Sequence, residues 1–397
     1  MKKFSEKASA IVPSATLSIS AKAGELKREG KSVISFSVGE PDFKTPVFIT
    51  DACKEALDRG YTKYTPVGGL PELKQAVCHK FKRDNFLDYN PENIVVSTGA
   101  KSSIFHALFS ILDAGDEVII PKPYWITYPE IVGICGGVCV FADTNPENGY
   151  KITAEQLDDL ITPKTKCLIL NTPNNPSGSV YSEDELRKIA EVLVSHDVFV
   201  LSDEVYERLV FDGKKHVSIA SLGENIKKLT IVVNAVSKTY AMTGWRIGYL
   251  ACDAALAKII TGLQSHTTSN ATSFSQYGAI AALEHGEEAV EEMVTAFSKR
   301  HKLLLALLDG IDGVKYSVPD GAFYVFLDVS SYYGKKFKGK IVSNSVEFCT
   351  SLLDEGVAAV PGAPFGNDAC IRLSYATSEE NLYEGVSRIK KYLHKFE

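Results

Sequence analysis

The stretch TIVVNAVSKTYAMTGWRIG, residues 230–248, is the most informative part of this sequence. It places Lys238 after a β-branched run that is typical of a buried strand, and Arg246 follows eight residues later. A lysine amine can form a Schiff base with an aldehyde, and a guanidinium binds a phosphate as a planar fork. The stretch therefore indicates a site for a covalently held, phosphorylated cofactor. Taken alone, Lys238 is more typical of a solvated lysine, so the interpretation depends on the rest of the chain.

Short apolar strands flank this stretch, with helices between several of them. The predicted strands are 93–98, 117–120, 137–142, 166–171, 197–203, 229–234 and 246–251. The predicted helices include 101–112, 153–161 and 182–196, the last of which opens with a capping-box pattern, Ser182 and Glu185. Near-continuous apolar strands that alternate with helices predict an α/β fold with a mostly parallel, seven-stranded sheet covered on both faces.

After residue 251 the pattern becomes α+β. Helices are predicted at 253–265, 274–285, 287–310, 343–355 and from about 378, and strands at 314–318, 322–328, 357–360 and 370–374. This predicts a large domain at residues 46–290 and a smaller one at 291–397, which the N-terminal segment 1–45 joins. The basic segment YYGKKFKGK, 332–340, is predicted to be a solvated linker or mobile lid.

Composition excludes several classes of function. The formal charge of −6 and pI near 5.8 argue against nucleic-acid binding, which usually requires a basic patch. No apolar run approaches the roughly 18 residues that would span a membrane. The eight cysteines are scattered without a zinc-binding pattern, so we expect no metal, and free thiols in a reducing cytoplasm.

Two candidate residues lie in SDEVYE, residues 202–207, directly after a predicted strand. Asp203 could hold a heterocyclic nitrogen in its protonated form, or it could be a helix N-cap. Tyr206 could donate to a phenolic oxygen on the same ring, or it could be ordinary packing. At about 4 Å and an effective dielectric near 20, a carboxylate and a ring cation attract by roughly 4 kcal/mol.

Three other strand ends carry further candidates. Asn175 lies in NTPNNPSG, 171–178, where two prolines and a glycine would fix its direction, although the composition also suits a plain turn. Gly99 and Ala100 lie in TGAK between a strand and a helix, where backbone N–H groups suit a phosphate. Trp125, in PKPYW, could stack on a planar ring or belong to the core.

Arg372 lies in CIRLSYA, a short apolar run expected to be a strand. A buried guanidinium needs an anionic partner, which could be a substrate carboxylate or a structural salt bridge. The sequence contains no G-x-S-x-G, H-E-x-x-H or G-x-G-x-x-G motif, so other common nucleophile, metal and dinucleotide sites are not indicated.

These features together resemble the class I aminotransferases, which are fold type I pyridoxal-phosphate enzymes, and most of all their bacterial aspartate aminotransferase branch. Eight segments, in family order over nearly the full length, carry the resemblance: SVGEPDF (37–43), KYTPVGGLPELK (63–74), PYW (123–125), NTPNNPSG (171–178), SDEVYE (202–207), SKTYAMTGWRIG (237–248), GAFYVFLD (321–328) and IRLSYATSEENL (371–382).

The resemblance implies pyridoxal 5′-phosphate as cofactor and assigns roles around it. Lys238 corresponds to the lysine that holds the cofactor and moves the substrate proton, and Asp203 to the partner of the ring nitrogen. The other implied cofactor contacts are Gly99, Ala100, Lys101, Trp125, Asn175, Tyr206, Ser237, Arg246 and, from a neighbouring subunit, Tyr64. Many relatives carry a phosphate-binding serine three residues before the lysine, where this chain has Ala235.

The resemblance also implies the substrate site and the reaction. Gly39 and Arg372 correspond to the α-carboxylate site, and Lys101, Ser14 and Thr16 to the distal carboxylate of dicarboxylic amino acids. Trp125 and Asn175 are further implied substrate contacts. The implied reaction moves the amino group of L-aspartate to 2-oxoglutarate in a cytoplasmic homodimer. The alternatives are a prephenate or broad aromatic aminotransferase, a β-lyase, or a non-catalytic regulatory module. Lys101 could also be a solvated lysine at the start of a helix.

Overall fold

The computed structural model describes residues 4–9, 11–13 and 15–397. Its helices are α1 (Glu6–Ser9), α2 (Ala15–Arg28), α3 (Val47–Asp58), α4 (Pro71–Asn85), α5 (Ala100–Ile111), α6 (Thr127–Ile134), α7 (Ala154–Leu160), α8 (Glu183–Ser195), α9 (Glu224–Leu229), α10 (Val236–Thr239), α11 (Ala254–Thr267), α12 (Ser273–His285), α13 (Glu287–Leu308), α14 (Ser345–Asp354) and α15 (Glu379–Leu393). Its strands are β1 (Ile34–Ser35), β2 (Ile94–Ser97), β3 (Glu117–Pro121), β4 (Val138–Ala142), β5 (Thr165–Asn171), β6 (Phe199–Asp203), β7 (Thr230–Ala235), β8 (Gly248–Ala251), β9 (Lys315–Tyr316), β10 (Tyr324–Asp328), β11 (Lys336–Phe337), β12 (Lys340–Ile341), β13 (Val357–Ala358), β14 (Val360–Pro361) and β15 (Cys370–Ser374).

The main sheet has seven strands in the order β2-β8-β7-β6-β5-β3-β4. Strands β3 to β7 run parallel to one another, whereas β8 is antiparallel to both of its neighbours, β2 and β7. The predicted mostly parallel, seven-stranded sheet is therefore confirmed. Parallel strands need crossover connections, and helices such as α8, between β5 and β6, supply them.

Helices cover both faces of this sheet. Leu168 and Val200 pack on one face with apolar residues of α7 and α8. Ile169 and Leu201, their neighbours in sequence, pack on the opposite face with residues of α5 and α11. Because successive side chains of a strand point to opposite faces, burial of both faces requires continuous apolar runs. This explains why these strands were recognisable in the sequence.

Helix α8 begins where the capping box predicted. The Ser182 hydroxyl accepts from the backbone N–H of Glu185 at 3.3 Å, and the Glu185 carboxylate accepts from the backbone N–H of Ser182 at 2.8 Å. Each side chain satisfies an N–H group that has no partner within the helix. The helix therefore starts one residue after Ser182, at Glu183.

A second, antiparallel sheet has the order β14-β15-β10-β9. The prediction of one strand at 357–360 is wrong, because two short strands in different sheets occupy that segment. Val357 and Ala358 pair in parallel with the N-terminal strand β1, while Val360 and Pro361 pair with β15. The strand β1 therefore attaches the N-terminal part of the chain to the C-terminal part.

The prediction of a solvated linker or lid at 332–340 is also wrong. The segment forms the turn of a hairpin between β11 and β12, with Lys338 and Gly339 at positive φ. Tyr332 and Phe337 are buried, and the Phe337 ring lies 4.8 Å from that of Tyr392 in α15. The alternation of exposed lysines with buried aromatic residues is typical of a strand with one solvated face.

The longest described helix, α13, has 22 residues and is about 33 Å long. It follows the main sheet in sequence and packs against α12 and α15. The sequence analysis predicted no helix at the positions of α1, α2, α3, α6, α9 and α10. Among the described residues, no helix combines the length and the apolar surface that crossing a membrane requires.

Candidate active site

The site begins at three adjacent strand ends of the main sheet. The register of β5 and β6 places Asn171 beside Asp203, and that of β6 and β7 places Asp203 beside Val233. The loop carrying Asn175 follows β5, and the helical turn carrying Lys238 follows β7. Parallel strands thus bring together residues that lie more than 60 positions apart in the chain.

Lys238 lies in the short helix α10, directly after β7. Its Nζ donates to the backbone carbonyl oxygen of Gly39 at 2.5 Å. Burial lowers the pKa of Lys238 to about 8, and the cationic Arg372 and Arg246 lower it further against the opposing charges of Glu40 and Asp203. A lysine with this pKa presents far more neutral amine at physiological pH than an exposed one.

Asp203, at the end of β6, is 3% exposed. Its Oδ2 accepts from the Tyr128 hydroxyl at 2.7 Å, and its Oδ1 accepts from the backbone N–H of Val205 at 3.3 Å. Burial raises the pKa of Asp203 to about 6, although both hydrogen bonds and Lys238 act in the opposite direction. The helix N-cap alternative is wrong, because a turn rather than a helix follows Asp203.

Tyr206 is buried in that turn. Its hydroxyl lies 2.9 Å from the hydroxyl of Tyr324, and either group can donate. Its ring packs edge-on against Phe323 and Tyr324. Tyr206 therefore combines ordinary aromatic packing with a hydroxyl in a hydrogen-bonded pair.

Arg372, in β15, is 2% exposed. Its Nη1 donates to Oδ1 of Asn175 at 3.0 Å and its Nη2 to the carbonyl oxygen of Ser37 at 3.0 Å. Its Nε has no hydrogen-bond partner, and no carboxylate pairs with this guanidinium anywhere in the described part of the chain. The alternative of a structural salt bridge is therefore wrong for the described residues, and a buried cation lacks its anion.

Asn175 is held on both sides. Its backbone N–H donates to Oδ1 of Asn171 at 2.9 Å, while the side chain of Asn171 also donates to the carbonyl oxygen of Asp203 at 3.0 Å. Because the Oδ1 of Asn175 accepts from Arg372, its N–H₂ group points away from the guanidinium. The loop is thus a positioned element rather than a plain turn.

An anion cradle lies at the start of α5. Gly99 is the N-cap residue, with φ of +90°, and a Cβ there would lie 2.3 Å from the Arg246 guanidinium. Arg246 donates to the carbonyl oxygens of Thr243 at 2.8 Å and Thr98 at 3.3 Å, beside Ala100 and the free N–H groups of the helix. Glycine is required at position 99 because any side chain would displace Arg246.

Ser237 is buried next to Lys238, and its carbonyl oxygen accepts from the backbone N–H of Met242 at 3.1 Å. Ala235, at the end of β7, is buried and offers only a methyl group at the place of the serine that the family pattern contains. The contact of Ser237 with a phosphate stays a prediction.

Trp125 is partly buried and links two groups of the site. Its ring lies 5.4 Å from that of Tyr128, edge to face, and the Lys101 Nζ lies 5.0 Å from the centre of the Trp125 ring. Burial and the charge of Arg246 lower the pKa of Lys101. Trp125 is therefore a partly open aromatic platform rather than a fully buried core residue.

The single chain does not show the expected contacts of Tyr64, Ser14 and Thr16. Tyr64 is 91% exposed, on a surface of this chain rather than in the site. Ser14 and the side chain of Thr16 lie outside the described residues, so their expected contact with a distal carboxylate stays a prediction.

The sequence analysis missed Tyr128, Asn171 and Tyr324. Asn171 and Tyr324 belong to the segments that carry the family resemblance, and Tyr128 lies three residues after Trp125. Tyr128 could have been expected only on general grounds, because a buried carboxylate such as Asp203 needs a hydrogen-bond donor. Nothing local shows which of 18 tyrosines supplies it.

Beyond this site, a second buried polar cluster contains Glu204, Glu207 and His216, whose ligand-type atoms lie within 4.8 Å of one another. Lys80 pairs with Glu207, and His216 Nε2 lies 3.0 Å from Glu204 Oε2. Asn85 also donates to Glu207, and Ser202 and Ser218 donate to Glu204, so the cluster is accounted for as a buried polar network. The eight cysteines form no disulfide with one another.

The geometry suits pyridoxal 5′-phosphate. A reactive amine at Lys238, a buried carboxylate at Asp203 and an anion cradle at Gly99 and Arg246 match an aldehyde, a ring nitrogen and a phosphate. The buried, unpaired Arg372 matches a substrate carboxylate.

Comparison with known proteins leads to the same family. The model for "Aminotransferase class I and II" matches residues 31–389. The chain is 48% identical to the aspartate aminotransferase of Bacillus subtilis, over 99% of both chains, and 46% identical to the probable aspartate/prephenate aminotransferase of Aquifex aeolicus, also over 99% of both. The crystal structure of the aspartate aminotransferase of Rhizobium meliloti superposes with a TM-score of 0.96 at 43% identity, over the whole of both chains. The chain therefore belongs to the class I and II aminotransferases and is a pyridoxal-phosphate-dependent transaminase of fold type I.

Proposed function

We propose that this enzyme transfers the amino group of L-aspartate to 2-oxoglutarate, which yields oxaloacetate and L-glutamate. The observation that carries the proposal is Arg372, a buried guanidinium without a carboxylate partner among the described residues. The α-carboxylate of an amino acid would supply that partner through charge-assisted hydrogen bonds. The aspartate aminotransferase of Bacillus subtilis, at 48% identity, supports the choice of aspartate.

The residues at the strand ends divide the work around the cofactor. When bound, the cofactor supplies a conjugated ring that accepts the electrons released at the substrate Cα. Asp203 keeps the ring nitrogen protonated, because an ionised carboxylate buried next to it stabilises the cation. Asn175 and Tyr206 would donate to the phenolic oxygen of the ring. Trp125 would provide an aromatic surface for the ring.

Lys238 has two roles in this proposal. It would hold the cofactor before the substrate arrives. After the substrate displaces it, its neutral amine would move the proton from the substrate Cα to C4′ of the cofactor. The lowered pKa, about 8, supports this second role because a base must be unprotonated to act. The nearby cations Arg372 and Arg246 contribute to that shift.

The phosphate is held by the backbone N–H groups at the start of α5 and by Arg246, with Gly99 providing the space. We propose that Ser237 and the Tyr64 of a second copy complete this cradle in a homodimer. The 91% exposure of Tyr64 supports that arrangement, since a tyrosine that binds phosphate in its own subunit would face its own site.

Specificity for dicarboxylic substrates is assigned to Lys101, together with Ser14 and Thr16. Lys101 lies against the Trp125 ring and within the influence of Arg246, so it adds positive charge at the site. A distal carboxylate would bind this cation, whereas an apolar side chain would leave it unpaired.

The experiment is a donor panel. Spectrophotometric half-reactions with aspartate, glutamate, alanine, phenylalanine and tyrosine should rank aspartate first in the parent enzyme. Lys101→Ala should lower kcat/KM for aspartate on the order of tenfold while changing the value for alanine little, because only aspartate presents a second carboxylate. An equal loss for both substrates would remove the role assigned to Lys101.

A second candidate is transamination of prephenate in addition to aspartate. The relative from Aquifex aeolicus with that probable activity, 46% identical, favours it. Prephenate also carries two carboxylates, so Arg372 and Lys101, the two cations proposed to bind aspartate, would bind it as well. Assays with prephenate as amino acceptor decide between a narrow and a dual specificity, and release of pyruvate and ammonia would indicate a β-lyase instead.

We also propose the division into a large domain (46–290) and a small domain (291–397) joined by the N-terminal segment. The pairing of β1 with β13 and the length of α13 support it. That the eight cysteines form no disulfide with one another supports a reducing, cytoplasmic location.

A further inference from the structure

Tyr324 lies between the two halves of the site and has no role in the scheme above. It is fully buried in β10, and its hydroxyl is 2.9 Å from that of Tyr206. The Arg372 guanidinium carbon lies 4.3 Å from the centre of the Tyr324 ring. One side chain therefore contacts both the expected donor to the cofactor and the expected ligand of the substrate carboxylate.

The sheet register explains this position. Phe326 pairs with Arg372, and Tyr324 pairs with Ser374, so Tyr324 and Arg372 are diagonal neighbours on antiparallel strands. Diagonal neighbours on one face lie within reach of long side chains. The contact is thus a consequence of the pairing of β10 with β15.

In the hydrogen bond between the hydroxyl groups of Tyr206 and Tyr324, only one of the two can be the donor at a time. A phenol has a single O–H proton, so a Tyr206 that donates to Tyr324 could not also donate to the phenolic oxygen of the cofactor. If Tyr324 donates instead, the oxygen of Tyr206 accepts and its own proton is available. The cation of Arg372 over the ring favours Tyr324 as the donor, because positive charge increases the acidity of a phenol.

We propose that Tyr324 is a positioning residue whose hydroxyl donates to Tyr206, so that the proton of Tyr206 is directed to the cofactor, and whose ring supports Arg372. This inference rests on the proposed function, in which Tyr206 donates to the phenolic oxygen. Hydrogen bonds in such a chain polarise one another, so the donation from Tyr206 becomes stronger when its oxygen accepts.

The test is a double-mutant cycle on the holoenzyme with Tyr324→Phe, Tyr206→Phe and the double variant. The readout is the midpoint of the pH titration of the absorbance of the bound cofactor. Tyr324→Phe should raise the midpoint by roughly half a unit, and Tyr206→Phe should raise it more. The double variant should match Tyr206→Phe alone, because Tyr324 acts only through Tyr206. Equal shifts by Tyr324→Phe in both backgrounds, or no shift in either, would overturn the proposal.

The role of the ring is tested separately by Tyr324→Leu. It should raise KM for aspartate by on the order of fivefold relative to Tyr324→Phe, because only the leucine variant removes the aromatic face from Arg372. The same KM in both variants would refute support of Arg372 by the ring.

A matched control is Tyr375→Phe, which removes another buried hydroxyl, one that donates to the carbonyl oxygen of Ala322 at 3.1 Å. Its titration midpoint and KM should equal those of the parent, and a shift as large as that of Tyr324→Phe would show a general effect of packing and refute the specific one. Failure of the proposed function is distinguishable, because the parent enzyme would then show no half-reaction with aspartate, whereas the titration of the bound cofactor is measured without any amino donor.

Discussion

The Nη1 of Arg372 donates to Oδ1 of Asn175 at 3.0 Å, which joins a strand of the small sheet to the loop after β5 in the main sheet. The bond orients the Asn175 amide, while Nη2 donates to Ser37 and Nε has no partner among the described residues. In the proposed function, this one contact connects the group that would bind the substrate with a donor to the cofactor.

Removal of the Arg372 guanidinium should weaken binding of every substrate that carries an α-carboxylate. Arg372→Leu should raise KM for aspartate by on the order of a hundredfold, because it removes a buried charged hydrogen-bonding partner. Arg372→Lys should recover part of this loss through its charge, without the bidentate geometry. Steady-state kinetics measure both, and thermal unfolding checks that the variants are folded. An unchanged KM in Arg372→Leu would contradict the assignment.

The lowered pKa of Lys238 predicts how the apoenzyme reacts with an aldehyde. Only the neutral amine is nucleophilic, so the rate of reconstitution with pyridoxal 5′-phosphate should rise about tenfold per pH unit and level off near pH 8. An ordinary lysine, with a pKa of 10.5, would continue to rise to higher pH. Stopped-flow absorbance measures the rate, and Lys238→Ala serves as the unreactive control. A rate that still increases between pH 9 and 10 would show that Lys238 is not perturbed.

Burial of the Asp203 carboxylate should make the apoenzyme less stable as the pH rises. The folded pKa, about 6, lies above the ordinary value of 3.8, so the folded state binds the proton more tightly than the unfolded state does. The protonated form stabilises the fold at low pH, and this contribution is lost as the pH rises from about 4 through 6.

In the Asp203→Asn apoenzyme this dependence should disappear. Between pH 5 and 7, the parent should lose about 1 kcal/mol of free energy of unfolding relative to the variant. Over the whole pH range, the loss that the raised pKa predicts is about 3 kcal/mol. Denaturant unfolding at several pH values measures it. A difference that is constant with pH would mean that Asp203 titrates normally in the fold.

Tyr64 provides a test of shared sites. If the enzyme is the proposed homodimer with shared sites, Tyr64→Ala should weaken cofactor binding, and Lys238→Ala should be inactive. A mixed dimer of the two variants contains one site with both defects and one site with neither. At a cofactor concentration too low for the Tyr64→Ala enzyme, mixing the two variants should therefore restore activity that neither has alone. If Tyr64 acted within its own subunit, the hybrid would stay as weak as the Tyr64→Ala enzyme itself.

The site was predictable from sequence to the extent that its residues occupy the ends of recognisable strands. Asp203, Asn175 and Lys238 each follow a continuous apolar run, and the register of β5, β6 and β7 brings those runs together. The partners Tyr128 and Tyr324 could not be inferred, because their hydrogen bonds to Asp203 and Tyr206 span 75 and 118 residues.

The sequence by itself determined the seven strands of the main sheet and the start of α8, and it singled out Lys238 as the candidate for the reactive amine. These features depend on local periodicity, capping and residue chemistry, which neighbours in the chain supply. Only the tertiary structure decided that residues 357–360 form two strands and that the segment 332–340 forms a hairpin over a buried aromatic cluster. It also decided that Arg372 faces Asn175 rather than a carboxylate. Those outcomes depend on which distant surfaces meet, because backbone pairing and charge are satisfied by whichever groups the fold brings into contact.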